Sequence, residues 1–137
     1  MDHFVPWSYV ANDELWNLIP MEKSLNSSKN NKLPDWSEYF RRMAESQYRL
    51  YEVIFSHGEV RTSFEKCRRD NLNAIWATER LYIEGNSREQ FINILEHNMK
   101  PLYDSAYLRG YGLWKLPNSW LYEVAMRQEI RTTIAFL

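Results

Sequence analysis

The sequence predicts a mainly α fold: a short mixed segment over residues 1–34, with about four helices over residues 35–137 packed on it in one compact domain. Three observations point there. From residue 35 onward apolar residues recur with helical spacing, whereas residues 1–34 hold no sustained period of 3.6. Four Gly and five Pro in 137 residues are too few for a turn-rich sandwich or barrel. With 45% hydrophobic and 15% aromatic residues, the chain has ample material for a core and is not composed like a disordered one.

In the first segment, "LWNLIPM" (residues 15–21) is a short apolar run broken by Asn17 and reads as a strand. "SLNSSKNNKL" (24–33) is rich in Asn and Ser, which compete with the helical backbone for hydrogen bonds, so a short helix is expected there, stopping before Pro34. Asp35 is a good N-cap, and Glu38 three residues later completes a capping-box pattern. Trp36, Phe40, Met43, Gln47, Tyr51 and Ile54 then form an apolar stripe that Tyr39 and Leu50 widen. This helix is expected to stop near His57-Gly58, with Gly as its C-terminal cap. A second helix is expected over about 60–83, with Val60, Phe64, Cys67, Ile75 and Trp76 on its apolar side and Gly85 ending it. Ser87 with Gln90 opens a third, in which Pro101 should produce a kink or a split, closed by Gly110 and Gly112. Asn118 or Ser119 would cap a last helix to the end of the chain.

Formal net charge is -1, so the molecule as a whole does not attract polyanions. Any nucleic-acid contact must come from a local patch, for which "RRM" (41–43) and "KCRRD" (66–70) are small basic clusters, more often solvated helix faces than phosphate contacts. Cys67 is the one cysteine, so neither an internal disulfide nor a CxxC zinc site is available. Buried packing is the expectation for it, and a reducing, cytoplasmic setting follows. No apolar run approaches the ~20 residues that span a bilayer, so no membrane partner is expected, and no signal peptide is visible. His57 and His97 read as surface or capping residues.

The polar residues of the first segment become informative together. Asp2 and His3 are adjacent, Asn17 follows 14 residues after His3, Asn26 nine residues later, and Lys29 one helical turn beyond that. This pattern, with Pro6 and Pro34, resembles the HNH endonucleases of the ββα-metal group, and most closely the HNH domain of RNA-guided type II CRISPR effectors. It also resembles bacterial HNH proteins carrying DHFxPWS…LWNL…NSSK. The resemblance covers about residues 1–40.

The resemblance implies a metal-dependent endonuclease hydrolysing DNA phosphodiester bonds, in phage defence or a mobile element. His3 would be the general base, since an imidazole titrates near neutrality. Asp2 and the Asn26 carbonyl would hold Mg2+ or Mn2+, hard cations that prefer oxygen. Asn17 would tie down the loop behind the histidine, and Lys29 would stand beside the scissile phosphate. Lys29, Lys32, Arg41 and Arg42 are the expected DNA contacts. Many relatives brace this region with zinc-binding cysteines; "PMEKSLN" has none, so no structural zinc is expected.

The family's Asp-His pair ends a first strand, and here Met1 alone precedes it. A truncated ββα-metal motif is therefore expected, its first strand completed by upstream residues of a longer protein, by a second copy or by a partner protein. The alternative to an enzyme is a catalytically inactive, HNH-derived protein-interaction or regulatory module.

Overall fold

The computed structural model describes residues 2–11, 14–70 and 80–116. The described elements run β1 (Asp2–His3), α1 (Trp7–Val10), a 3-10 turn (Leu15–Asn17), β2 (Leu18–Ile19), α2 (Lys23–Lys29), β3 (Leu33–Pro34), α3 (Trp36–Ser56), α4 (Gly58–Asp70), α5 (Arg88–Leu108) and β4 (Leu113–Trp114). The fold is mainly helical, with a ββα start: β1 pairs antiparallel with β2, and α2 follows.

Asp35 caps α3, its Oδ1 accepting the Glu38 amide at 3.2 Å and the Ser37 hydroxyl at 2.6 Å. The capping box is half made. The Asp35 amide, which the Glu38 side chain would have taken, donates instead to Trp114 O at 2.9 Å, and Glu38 turns to Lys115 at 3.3 Å. Along α3 the buried positions are Phe40, Met43, Ala44, Gln47, Tyr51 and Ile54, the expected stripe with Ala44 added. Trp36 stacks on Phe40 at 4.1 Å and 7°.

The joint after α3 differs from expectation. His57 is itself the C-cap, in extended backbone, and Gly58 is the first residue of α4. Val60 and Phe64 are half-buried, Phe64 lying 4.8 Å from the Tyr82 ring. Cys67, expected in the packing, is exposed. Residues 65–70 are all exposed, so the helix's apolar stripe outruns its partner after Phe64. Ile75 and Trp76, and the helix expected after Asn118, lie outside the described residues.

Ser87 and Gln90 make both halves of a capping box at the start of α5. Pro101 does not split this helix, which continues to Leu108. Met99, Tyr103 and Ala106 around and beyond it are fully or nearly buried, and a break would withdraw them from the core, a loss comparable to the ~3 kcal/mol penalty of an interior proline. Beyond Gly110, whose φ of 95° suits glycine, the chain forms β4, an element the sequence pattern did not announce. β4 runs parallel to β3 through Leu33 N to Gly112 O (2.8 Å) and Asp35 N to Trp114 O. Pro34 fits between because the ladder asks no donor of it.

Phe4, Val5, Trp16 and Leu33 from the N-terminal segment share one buried cluster with residues of α3 and α5, and Tyr103 Oη donates to Pro34 O at 2.6 Å. The ββα segment is thus seated on the helices rather than tethered to them. No described helix is long and apolar enough to cross a membrane.

Candidate functional site

β1 and β2 are two residues each, and an isolated hairpin of that size would not persist in water. Side chains hold it. Register sets Asp2 opposite Ile19 and His3 opposite Leu18. Directly after His3 the Phe4 amide donates to Asn17 O at 2.8 Å. The Asn17 side chain then grips Val5 from both sides: Oδ1 accepts the Val5 amide at 2.8 Å and Nδ2 donates to the Val5 carbonyl at 2.9 Å. Asn17 and Val5 are both fully buried, so these bonds are shielded from water. From the other side, Gln47 of α3 donates through Nε2 to Leu15 O (3.1 Å) and Leu18 O (2.6 Å), pinning β2 to the helix.

α2 supplies the next layer. Asn26 and Lys29 are three residues apart and share one face of this helix. Lys29 is fully buried, its Nζ 3.0 Å from Asp2 Oδ2 and donating to the His3 carbonyl at 2.8 Å. Burial lowers the Lys29 pKa from its ordinary value, while the adjacent Asp2 carboxylate pulls it back up. One ammonium therefore holds both the carboxylate and the backbone of the Asp2-His3 pair, with the carboxylate still 13% exposed.

Asn26 approaches the same carboxylate. With its amide nitrogen toward Asp2 it donates to Oδ1 at 3.0 Å and Oδ2 at 3.2 Å. The opposite orientation puts the carbonyl oxygen in that place, an acceptor facing acceptors, which a cation between them would make favourable. Neighbouring oxygens around Mg2+ at 2.0–2.1 Å are about 2.9 Å apart, close to the 3.0 Å seen here. With a cation between them, Asp2 Oδ1 and the Asn26 carbonyl would offer two adjacent oxygen ligands of the kind hard cations prefer, Oδ2 being held by Lys29. Among the described residues no group of three or more His, Cys, Asp or Glu converges as a metal cage, and a Mg2+ site that keeps waters and takes substrate phosphate does not need one.

The structure thus brings Asp2, His3, Asn17, Asn26 and Lys29 together and leaves the other expected contacts apart. Lys32 is exposed in the turn after α2. Arg41 is committed to Glu45 and Glu89 in an ion-pair group that also takes in Arg88. Arg42 borders a cavity of about 210 Å³ behind the hairpin, with Ile19, Met21 and Met43. His57, the C-cap of α3, and His97, on α5, are both exposed. Two contributors were not read from the sequence. Gln47 was counted as part of an apolar stripe, although a polar residue in such a stripe was itself a signal. Val5 acts through its backbone, for which no sequence signal exists.

The segment that builds this geometry, a two-stranded hairpin carrying Asp-His with a following helix that returns Asn and Lys to it, is also the segment found by the family comparison. Residues 1–35 match the family model described as HNH endonuclease. The match covers the ββα segment and ends at the α3 cap. It supports an HNH, nuclease-type assignment for that segment. No curated protein and no solved structure matches the chain.

Proposed function

We propose that the chain is a divalent-metal-dependent endonuclease that hydrolyses DNA phosphodiester bonds. The convergence of Asp2, His3 and Asn26 on the ββα segment is the observation that carries this reading, together with the family match over residues 1–35. The spacing of Asp2-His3, Pro6, Asn17, Asn26, Lys29 and Pro34 resembles that of the HNH domain of RNA-guided type II effectors, which supports this reading.

His3 takes a proton from a water molecule as that water attacks phosphorus. The bond to the 3′ oxygen breaks, the proton for the leaving oxygen comes from solvent, and the products carry a 5′ phosphate and a 3′ hydroxyl. Asp2 and Asn26 hold the cation, Mg2+ or Mn2+, which when bound neutralises charge at the phosphate and at the leaving oxygen. Asn17 fixes the loop behind His3. Lys29, with Nζ turned inward to Asp2 and the His3 carbonyl, acts as a positioning residue rather than as a surface ligand for phosphate. Among the described strands β1 pairs with β2 alone, and Lys29 Nζ already takes the His3 carbonyl, so a second copy or a partner strand adding to β1 would have to pair through other backbone groups.

A second reading, a non-catalytic HNH-derived interaction module, is favoured by the exposure of Tyr107 (54%) and Leu108 (84%) at the end of α5. Incubation with supercoiled plasmid separates the two. The nuclease reading requires nicking with Mg2+ or Mn2+ that EDTA stops and that His3→Ala abolishes. Absence of nicking by the wild type at micromolar protein with either metal refutes it.

A further inference from the structure

We infer that the groove between α1, the turn after α2 and the loop closing α5 is where the phosphate backbone of duplex DNA lies. This rests on the nuclease reading and adds the substrate's path to it. Two adjoining hollows meet there, lined chiefly by Ser8, Asn31, Arg109, Tyr111 and Gly112. They are shallow, solvent-open hollows of about 720 and 420 Å³, more than a free inorganic anion would fill.

Charge is the first argument. The lining includes a cation and no acidic side chain. Arg41, Arg61, Arg88, Lys100 and Lys115 each pair with a carboxylate, whereas the other cations without an ion pair among the described residues, such as Arg68 and Arg69 on α4, do not line these hollows. No described acidic residue pairs with Arg109 or with Lys32, whose Cγ lies 3.9 Å from where a Cβ on Gly112 would stand. In a chain of net charge -1, Arg109 in the lining and Lys32 beside Gly112, both without an ion pair among the described residues, make the kind of local patch that DNA binding demands.

Rigidity is the second. The Ser8 hydroxyl bonds Tyr111 Oη at 3.1 Å and Asn31 Oδ1 at 3.4 Å, joining the three walls. Tyr9 donates to Ser105 and meets the Tyr111 ring edge-on at 5.7 Å. A preformed groove with hydroxyl and amide groups at its lip suits phosphate oxygens, which are contacted mainly by such donors and by Arg and Lys.

Position is the third. Ser8 follows His3 by five residues, so it lies within about 18 Å of it, and Asn31 is two residues past Lys29. At about 3.4 Å per base pair, phosphates in the groove fall within about five base pairs of the proposed scissile bond.

Anisotropy of a labelled 20-base-pair duplex, in EDTA to prevent cleavage and over a series of salt concentrations, tests this. Each lost phosphate contact should lower the salt slope by about 0.9 and weaken binding about eightfold at 0.1 M salt. The expected result is that loss for Arg109→Gln and for Lys32→Gln, with Arg109→Lys and Arg69→Gln close to wild type. Arg109 could instead merely serve the C-terminal dipole of α5; in that case Arg109→Gln lowers the melting temperature and leaves the slope unchanged. Wild-type binding with unchanged slopes in both Gln variants overturns the groove while leaving His3-dependent nicking intact, and would point to a protein partner on this face. Displacement of the duplex by inorganic phosphate at matched ionic strength also overturns it, in favour of a small-anion site. Failure of the wild type both to bind and to nick removes the nuclease reading and the groove together.

Discussion

Truncating Asn17 to Ala should unfasten the loop that carries His3. The structure gives the size of the effect. The side chain makes two bonds to the Val5 backbone, at 2.8 and 2.9 Å, and both residues are fully buried. Alanine leaves one buried amide and one buried carbonyl without partners, each costing about 1–3 kcal/mol. Some relaxation is expected, so a destabilisation of about 3 kcal/mol is the working figure. For a chain of 137 residues, an unfolding entropy of about 2.1 cal/mol/K per residue converts that to a fall in melting temperature of about 10 °C. Urea denaturation followed by tryptophan fluorescence measures the first quantity, and a thermal melt the second. Asn17→Asp should be no milder, because a carboxylate accepts the Val5 amide but sets an acceptor against the Val5 carbonyl. At a temperature where the variant is folded, cleavage at saturating DNA should fall, because the histidine loop is no longer fixed. A variant within about 0.5 kcal/mol of wild type, with unaltered cleavage, would show that these bonds do not hold the loop.

Lys29→Met should destabilise the chain by about 3 kcal/mol, since it leaves Asp2 and the His3 carbonyl without the buried ammonium. In a double-mutant cycle with Asp2→Asn the combined loss should be smaller than the sum, and strict additivity would mean that the pair is not coupled. Gln47→Leu removes the bonds to Leu15 O and Leu18 O but also eliminates a buried Oε1 that has no partner among the described residues. A net loss of about 1–2 kcal/mol is therefore expected in urea denaturation, and an unchanged midpoint would show that the clamp is inert. Acid should weaken the α3 joints. The Ser37 hydroxyl holds the Asp35 carboxyl below its usual range, and the Arg88 guanidinium does the same for Glu45. Both folded pKa values are depressed, so the unfolded chain takes up these protons first. Their contribution is present above about pH 4 and is lost as pH falls through the folded values. Urea midpoints that decline below pH 4, less steeply in Glu45→Gln, are expected; a flat profile down to pH 3 would contradict the assignment.

What could be read from the sequence was local. The ββα order, the Asp35 and Ser87 caps and the α3 stripe rest on neighbours within one or two turns, and the structure contains them. The grouping of Asp2, His3, Asn17, Asn26 and Lys29 was also legible, because a family spacing encodes a three-dimensional arrangement; their chemical roles are the proposal. Contacts between distant segments were not legible. The pairing of Leu33–Pro34 with Leu113–Trp114 spans some eighty residues and is made by backbone groups, which any residue offers. It also explains why the Asp35 amide is unavailable to Glu38. Pro101 is tolerated for a tertiary reason, the burial of Met99 and Tyr103, which outweighs a local rule. Lys29 shows the same limit in the site: its charge suggested a place on the open face, and only the packing of α2 against β1 reveals that it points inward.

The most direct test of the central claim, that Asp2 and Asn26 hold a divalent cation beside His3, is Mn2+ titration followed by NMR. Paramagnetic broadening should appear first at the Asn26 side-chain amide and the His3 ring, together with a change in the Asn26 amide signals as its carbonyl turns toward the metal. In Asp2→Ala this broadening should vanish. Broadening centred elsewhere on the surface, or equal broadening in the variant, would contradict the account.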